Sequence, residues 1–221
     1  MTDYIRAREF RETAGTEDWR VVGDGASTFI ATDSFASSVR VVQAIGELAG
    51  VEDHRPDLDV RADGVTVRLL TAGDDWYGMS QRDVALARGI SGAARSLGLS
   101  ADPSDIQSVL VIVETKVASE VMPFWRAVLG YDYRPDSPDE DLVDPRRRGP
   151  ALWFEEVREW RGKANGIHLA VWVPHEVAEA RVAAALAAGG RMVRDEDAPS
   201  SWTLADALDN ECDVATILER D

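Results

Sequence analysis

Apolar and polar residues alternate along Val65-Thr66-Val67-Arg68-Leu69, which puts the three aliphatic side chains on one side of an extended chain and the two polar ones on the other. This is the signature of a strand with one buried face. Two further strands are expected at Trp19 to Val22 and Ser27 to Ala31, separated by the turn signal Gly23-Asp24-Gly25. Between these strands and Val65 the period changes. Phe35, Val39, Val42, Ile45 and Ala49 recur at helical spacing behind Asp33 or Ser34, either of which can cap a helix, and they predict one apolar face. A further helix is predicted over residues 80–97, where Ser80 and Asp83 form a capping box and Leu86, Ile90, Ala93 and Leu97 repeat. With a short helix at the start, the order is α-β-β-α-β-β-α, an α+β arrangement with helices on one side of antiparallel strands.

The stretch Gly98-Leu99-Ser100-Ala101-Asp102-Pro103-Ser104-Asp105 ends this pattern with polar residues, Gly and Pro. It divides the chain into a domain over 1–99, a linker over 100–104 and a second domain over 105–221. In the second domain, Val109 to Val113 reads as a buried strand, and Val121, Trp125 and Val128 mark a helix after it. The same order returns with a strand at Ile167 to Val173, then a helix from Pro174 through Ala188 that Gly189-Gly190 ends. Strand candidates follow each unit, Ala151 to Val157 in one half and Arg191 to Arg194 and Asp213 to Leu218 in the other. The spacing is a weak internal repeat of roughly fifty residues, which predicts two equivalent halves.

Forty acidic residues against 24 basic ones give a formal charge of -16, a field that repels phosphate backbones and anionic lipid surfaces. Nucleic acid and membrane are therefore not expected partners. The N-terminus Met1-Thr2-Asp3-Tyr4-Ile5-Arg6 lacks the basic start and apolar core of a signal peptide, so a cytoplasmic protein is expected. Cys212 is the single cysteine, which excludes an internal disulfide and a cysteine-built zinc site. It is expected to be a small buried apolar residue.

His54-Arg55-Pro56, with Thr71-Ala72 one strand later, Gly78-Met79-Ser80 before the helix, and Asp83 within it, resembles the active-site stretch of pterin carbinolamine dehydratases. The likeness extends over residues 8–97, including Asp18-Trp19-Arg20 and Ser34-Phe35. That family carries His-His-Pro and Thr-His, so Arg55 and Ala72 stand where two of its three histidines would be. The resemblance implies loss of water from a 4a-hydroxypterin, with groups that protonate the leaving hydroxyl and accept a ring proton. Histidine titrates near working pH, whereas arginine stays protonated and alanine offers nothing. His54 is thus the remaining catalytic candidate, with Asp53, Arg55, Pro56, Asp57 and Thr71 around the pterin.

The run Glu120 to Tyr131 with Phe124-Trp125 and Leu129-Gly130, then Asp144-Pro145, Leu152-Trp153-Phe154, Ile167-His168-Leu169 and Asp209-Asn210-Glu211, resembles the glyoxalase-like branch of the vicinal oxygen chelate superfamily. The resemblance implies paired βαβββ modules curled around a small-molecule cavity. Metal-using members place one ligand on each of four strands; the matching positions are Ser108, Glu155, His168 and Asp213. A divalent metal at Glu155, His168 and Asp213 is one reading. Serine is a poor ligand, so the expectation is no cofactor. Strand alternation sets His168, Ala170 and Trp172 on one face, and Trp153 and Glu155 on one face of their own strand, an aromatic and polar lining suited to an organic ligand.

Three functions remain open on these residues. The first is a two-domain protein handling small organic molecules, pterin-like or aromatic, whose dehydratase site is partly degenerate and which, if active, is a hydro-lyase. The second is a non-catalytic ligand-binding or assembly protein, with homo-oligomerisation open. The third is a metal-dependent lyase or dioxygenase built on His168.

Overall fold

Val65, Val67 and Leu69 are completely buried, and their partners across the ladder, Ile30, Thr28 and Ala26, are buried with them. This pairing is the centre of the first of two compact units, which divide the chain between Ile106 and Gln107. The computed structural model describes residues 4–157, 167–205 and 211–218.

The first unit runs β1 (Tyr4–Ile5), α1 (Ala7–Glu12), β2 (Arg20–Val22), β3 (Gly25–Ala31), α2 (Phe35–Gly46), β4 (Asp57–Val60), β5 (Gly64–Leu69), β6 (Thr71–Ala72), β7 (Tyr77–Ser80) and α3 (Gln81–Ser96), then a 3-10 turn at Pro103–Asp105. The antiparallel sheet β2-β3-β5-β4 carries α2 on β4 and β5, α3 packs against α2 and β7, and β1-β7-β6 forms a small second sheet. Trp19 donates its indole N–H to the buried Ser91 hydroxyl at 3.1 Å, which ties α3 to the start of β2. Within residues 100–104, read from composition as linker, Ala101 and Asp102 lie along β3. Ala101 bridges Ile30, and the Asp102 N–H donates to the Phe29 carbonyl.

Helix α2 differs from the expected orientation. Ser37, Ser38, Val41 and Ile45 are its buried residues, while Phe35 is 60 % and Val39 48 % exposed. The reason is polar. Ser38 Oγ shares a 2.7 Å hydrogen bond with Thr32 and donates to the Arg61 carbonyl, so the helix is rotated to bury its serine edge against the loop after β4. Hydrogen bonds to buried groups thus outrank the apolar stripe that periodicity alone would turn inward. Leu97, expected on the apolar face of α3, is the helix's terminal cap and 40 % exposed, whereas Leu86 and Ile90 are buried.

The second unit consists of two copies of one motif. The first is β8 (Ser108–Thr115), α4 (Ala118–Leu129), β9 (Asp132–Tyr133), β10 (Asp141–Val143) and β11 (Ala151–Glu156). Its counterpart is β12 (Ile167–Trp172), α5 (His175–Ala187), β13 (Arg191–Arg194), β14 (Ser201–Ala205) and β15 (Glu211–Ala215). In each copy the first strand pairs parallel with the last, β8 with β11 and β12 with β15. The copies join antiparallel through β8 and β12, giving the order β13-β14-β15-β12-β8-β11-β10-β9. These are paired βαβββ modules.

Alternation divides the side chains of this sheet. Val113, Leu152 and Phe154 are buried with Met122 of α4, and Val173, Trp202, Leu204 and Val214 with Ala178 and Val182 of α5. Helix α4 begins without a capping side chain of its own; Glu156 of β11 accepts the Ala118 N–H at 2.9 Å instead. It ends at Gly130, whose φ of 67° is the left-handed conformation that glycine adopts without a Cβ penalty. The Asp209-Asn210 part of the expected motif lies outside the described residues.

Candidate functional site

In the first unit the capping box of α3 does more than start a helix. Asp83 is fully buried, and its Oδ2 accepts from the Ser80 backbone N–H at 2.7 Å and lies within hydrogen-bond reach of the Ser80 and Thr71 hydroxyls. The two hydroxyls are also 2.7 Å apart, so one can donate to the carboxylate and the other to its neighbour. Oδ1 is left for His54, whose Nε2 lies 2.7 Å away. Residues 17 and 29 positions apart in sequence from His54 thus hold its ring at one edge. All ring hydrogen bonds of His54 among the described residues run through Nε2. With Nε2–H donated to a carboxylate, Nδ1 is the nitrogen with the free lone pair.

The remaining expected residues are less concentrated. Thr71 is buried within the network, Asp57 is half-buried at the start of β4, and Asp53 is exposed. Arg55 pairs with Glu52 at 3.2 Å, both side chains being more than three quarters exposed, and Ala72 is exposed on β6. Pro56 is half-exposed and immediately precedes β4.

In the second unit a cavity of about 530 Å³ opens over one face of the sheet. Trp153 and Glu155 reach it from β11, His168 and Trp172 from β12, and Asp213 from β15. Leu110, Ile112 and Ala170 form the floor between the two tryptophans. Ser108 is paired with Trp172 at the end of β8 and is not among the lining residues. Glu114, at the other end of β8, was not singled out from sequence. It is buried and its Oε1 lies 3.8 Å from His168 Nδ1. Its signal was available, because Glu114 shares the parity of Leu110 and Ile112 along the strand.

Asp213 Oδ2 lies 3.7 Å from His168 Nε2, and its Oδ1 accepts from the Thr203 hydroxyl at 2.7 Å. The adjoining Asp213 carboxylate holds the His168 pKa above its ordinary value against the opposing effect of burial, with Glu114 and Glu155 adding to the rise. For Asp213, burial alone would push the pKa up, but His168 and Thr203 together hold it below the ordinary carboxylate value. The imidazole therefore stands between carboxylates at its two edges.

The two imidazole nitrogens face carboxylates on opposite edges of the ring rather than converging with them on one point. Among the described residues, no group of three or more His, Cys, Asp or Glu side chains is placed to hold an ion. Asp144, part of the expected motif, accepts backbone N–H groups of Arg146, Arg148 and Gly149 and organises a loop. His175 sits at the start of α5 beside Glu176. Cys212 is partly buried, and burial raises its thiol pKa.

Residues 4–93 match the family model described as pterin 4 alpha carbinolamine dehydratase. A Nocardia farcinica protein described as a pterin-4-alpha-carbinolamine dehydratase is 36 % identical over 78 residues, covering 35 % of this chain and 80 % of that relative. The chain belongs to the pterin carbinolamine dehydratase family. It does so through its first unit. An Aquifex aeolicus protein with the same description is 34 % identical over 80 residues, 36 % of this chain and 79 % of the relative. Residues 110–215 match the model described as glyoxalase-like domain. A solved glyoxalase/bleomycin resistance protein/dioxygenase superfamily member from Vibrio splendidus overlaps 50 % of this chain and 99 % of its own, with a TM-score of 0.32 and 14 % identity. By its two family matches, the protein joins a pterin-dehydratase-like unit to a glyoxalase-like one. No helix among the described residues is long and apolar enough to cross a membrane.

Proposed function

We propose that this protein handles small organic molecules at two sites: a dehydratase-type pterin site reduced to one histidine, and an organic-ligand cavity in the glyoxalase-like unit. The observation that carries the first part is the 2.7 Å pairing of His54 with the buried Asp83, beside an exposed Arg55 and Ala72 at the positions of the family's other histidines. His54 can take a proton at Nδ1 while Asp83 stabilises the imidazolium that forms. One such group can serve either removal of the ring proton or protonation of the leaving hydroxyl. Because an acid-base group typically contributes about 10²–10⁴-fold, dehydration of a 4a-hydroxytetrahydropterin is expected to run orders of magnitude below a three-histidine enzyme.

The test is dehydration of freshly generated 4a-hydroxytetrahydropterin, read against the spontaneous rate. A small acceleration that His54→Ala removes is the expected result. Asp83→Asn removes the carboxylate that pairs with His54 Nε2 and should lower the residual rate. Turnover equal to that of an intact three-histidine enzyme would overturn the reading. No acceleration, with a stable pterin analogue still bound, would leave a binding module.

For the second unit, the lining by Trp153, Trp172, Glu155, His168 and Asp213 supports an organic ligand. The cavity volume falls within the roughly 300–1,000 Å³ usual for such sites.

A further inference from the structure

We propose that the Trp76 indole is a lid on the His54 site: it lies on the bare backbone of Gly78, where a planar heteroaromatic ligand of the pterin class would lie, and swings off when that ligand binds. This rests on the reading of the His54 site as a pterin site and adds what controls entry to it. The small sheet β1-β7-β6 sets the geometry. Thr71 is paired with Gly78 and Tyr4 with Ser80, and residues opposed across an antiparallel ladder share a face, as do alternate residues of one strand. Thr71, Gly78, Ser80 and Tyr4 therefore share one face. Two of them, Thr71 and Ser80, bond to Asp83, which in turn holds His54. Gly78, opposite the first and two residues from the second, has no side chain, so the surface beside the polar network is backbone.

The indole covers that surface. A Cβ at Gly78 would lie 3.2–3.4 Å from three atoms of the Trp76 ring, its nitrogen among them, so the ring is laid directly over the glycine. Tyr4 stacks on the indole with centroids 4.6 Å apart and planes at 16°. The cover is weakly held. Trp76 Nε1 is shut off from water and has no hydrogen-bond partner, so this position leaves a buried donor unsatisfied. Tyr4 is 39 % exposed and belongs to a strand of two residues, and Trp76 follows the exposed Asp74 and Asp75 in the turn between β6 and β7. Leaving Gly78 gives the N–H access to water and uncovers a strip on which a flat ring can lie beside Thr71 and His54. The indole is thus an occupant supplied by the chain itself, and a ligand must first displace it. A site that is open only part of the time binds with an affinity reduced by its open fraction.

Biopterin, a stable planar pterin, tests this by calorimetric titration into the full chain. His54→Ala should weaken its binding, which locates it at this site. Trp76→Ala should tighten binding by about threefold or more, because no displacement is then needed, whereas truncating a side chain that holds the ligand would weaken it. Gly78→Ala added to Trp76→Ala should reverse the gain by putting a methyl group on the floor. The wild-type chain gives a second measurement that does not depend on the alanine variants. Its Trp76 indole N–H signal in proton–nitrogen correlation spectra, assigned by its loss in Trp76→Phe, should exchange faster with water once biopterin is bound. Binding that Trp76→Ala leaves unchanged or weakens, or an N–H that biopterin leaves as protected as before, would overturn the lid while the pterin site stands. No binding to either the wild type or Trp76→Ala, or binding indifferent to His54→Ala, would overturn the pterin-site reading and the lid with it.

Discussion

Asp83 shows how one side chain can serve fold and chemistry together. As the third residue of α3 it closes the capping box, and as a buried carboxylate it accepts from Thr71 and His54. Asp83→Ala is therefore expected to destabilise the first unit, since each buried donor left without an acceptor costs about 1–3 kcal/mol. Urea denaturation of the variant checks this, and an unchanged midpoint would contradict it. His54 and the capping box were both legible in the sequence, but their 2.7 Å pairing was not. Twenty-nine residues separate them, and only folding sets one beside the other. At the second site, His168 has its pKa raised by Asp213, Glu114 and Glu155, so its stabilising contribution is full below its ordinary value of 6.5 and is lost as pH rises through the folded value. Asp213, held low, contributes above its ordinary value of 3.8 and loses that contribution as pH falls through the folded one. Denaturation monitored by tryptophan fluorescence should show stability declining as pH rises above 6.5, and His168→Gln should flatten that limb. Stability that instead climbs across that range would contradict the assignment.

At the scale of elements, close backbone approach and core filling set the largest effects. A Cβ at Gly64 would meet the Phe29 ring and the Ile30 carbonyl across the β3-β5 ladder. Gly64→Ala should therefore cost about 1–3 kcal/mol through a forced shift of the central strands. Phe154, 1 % exposed beneath α4, fills the core of the first βαβββ module. Its replacement by alanine is expected to cost roughly 3–5 kcal/mol, measurable as a lowered unfolding midpoint of the second unit. Strands were legible where alternation was strict, as at Val65 to Leu69, and where apolar runs were continuous, as in β8. They were missed where short pairs owe their existence to a neighbour. Tyr4–Ile5 is a strand only because Ser80 and Met79 lie across from it. Helix α2 was predicted at the right place and Ile45 is buried as expected, but Phe35 and Val39 point outward, because periodicity weighs apolar residues and does not register Ser38 bonded to Thr32 and Arg61.

For the molecule as a whole, each unit has its own core, and the boundary follows hydrogen bonds rather than composition. Residues 100–104 read as linker because Gly, Pro and Ser are punctuation, yet Ala101 and Asp102 bond to β3. A chain ending after Ile106 is expected to fold alone with a single cooperative urea transition, and one ending at Leu99 to unfold at lower urea. Equal midpoints would show that this docked segment adds nothing. By itself the sequence determined the strands with strict alternation or continuous apolar runs and the longer helices, that the second unit repeats one motif, and that His54 and His168 stand without the usual full set of partners. These follow from local spacing, which acts through backbone geometry over a few residues. Only the tertiary structure decided that Asp83 holds His54, that Glu114 rather than Ser108 approaches His168, and that five side chains from three strands line one cavity. Such meetings depend on strand register and helix rotation, which are fixed by contacts between residues far apart in the chain.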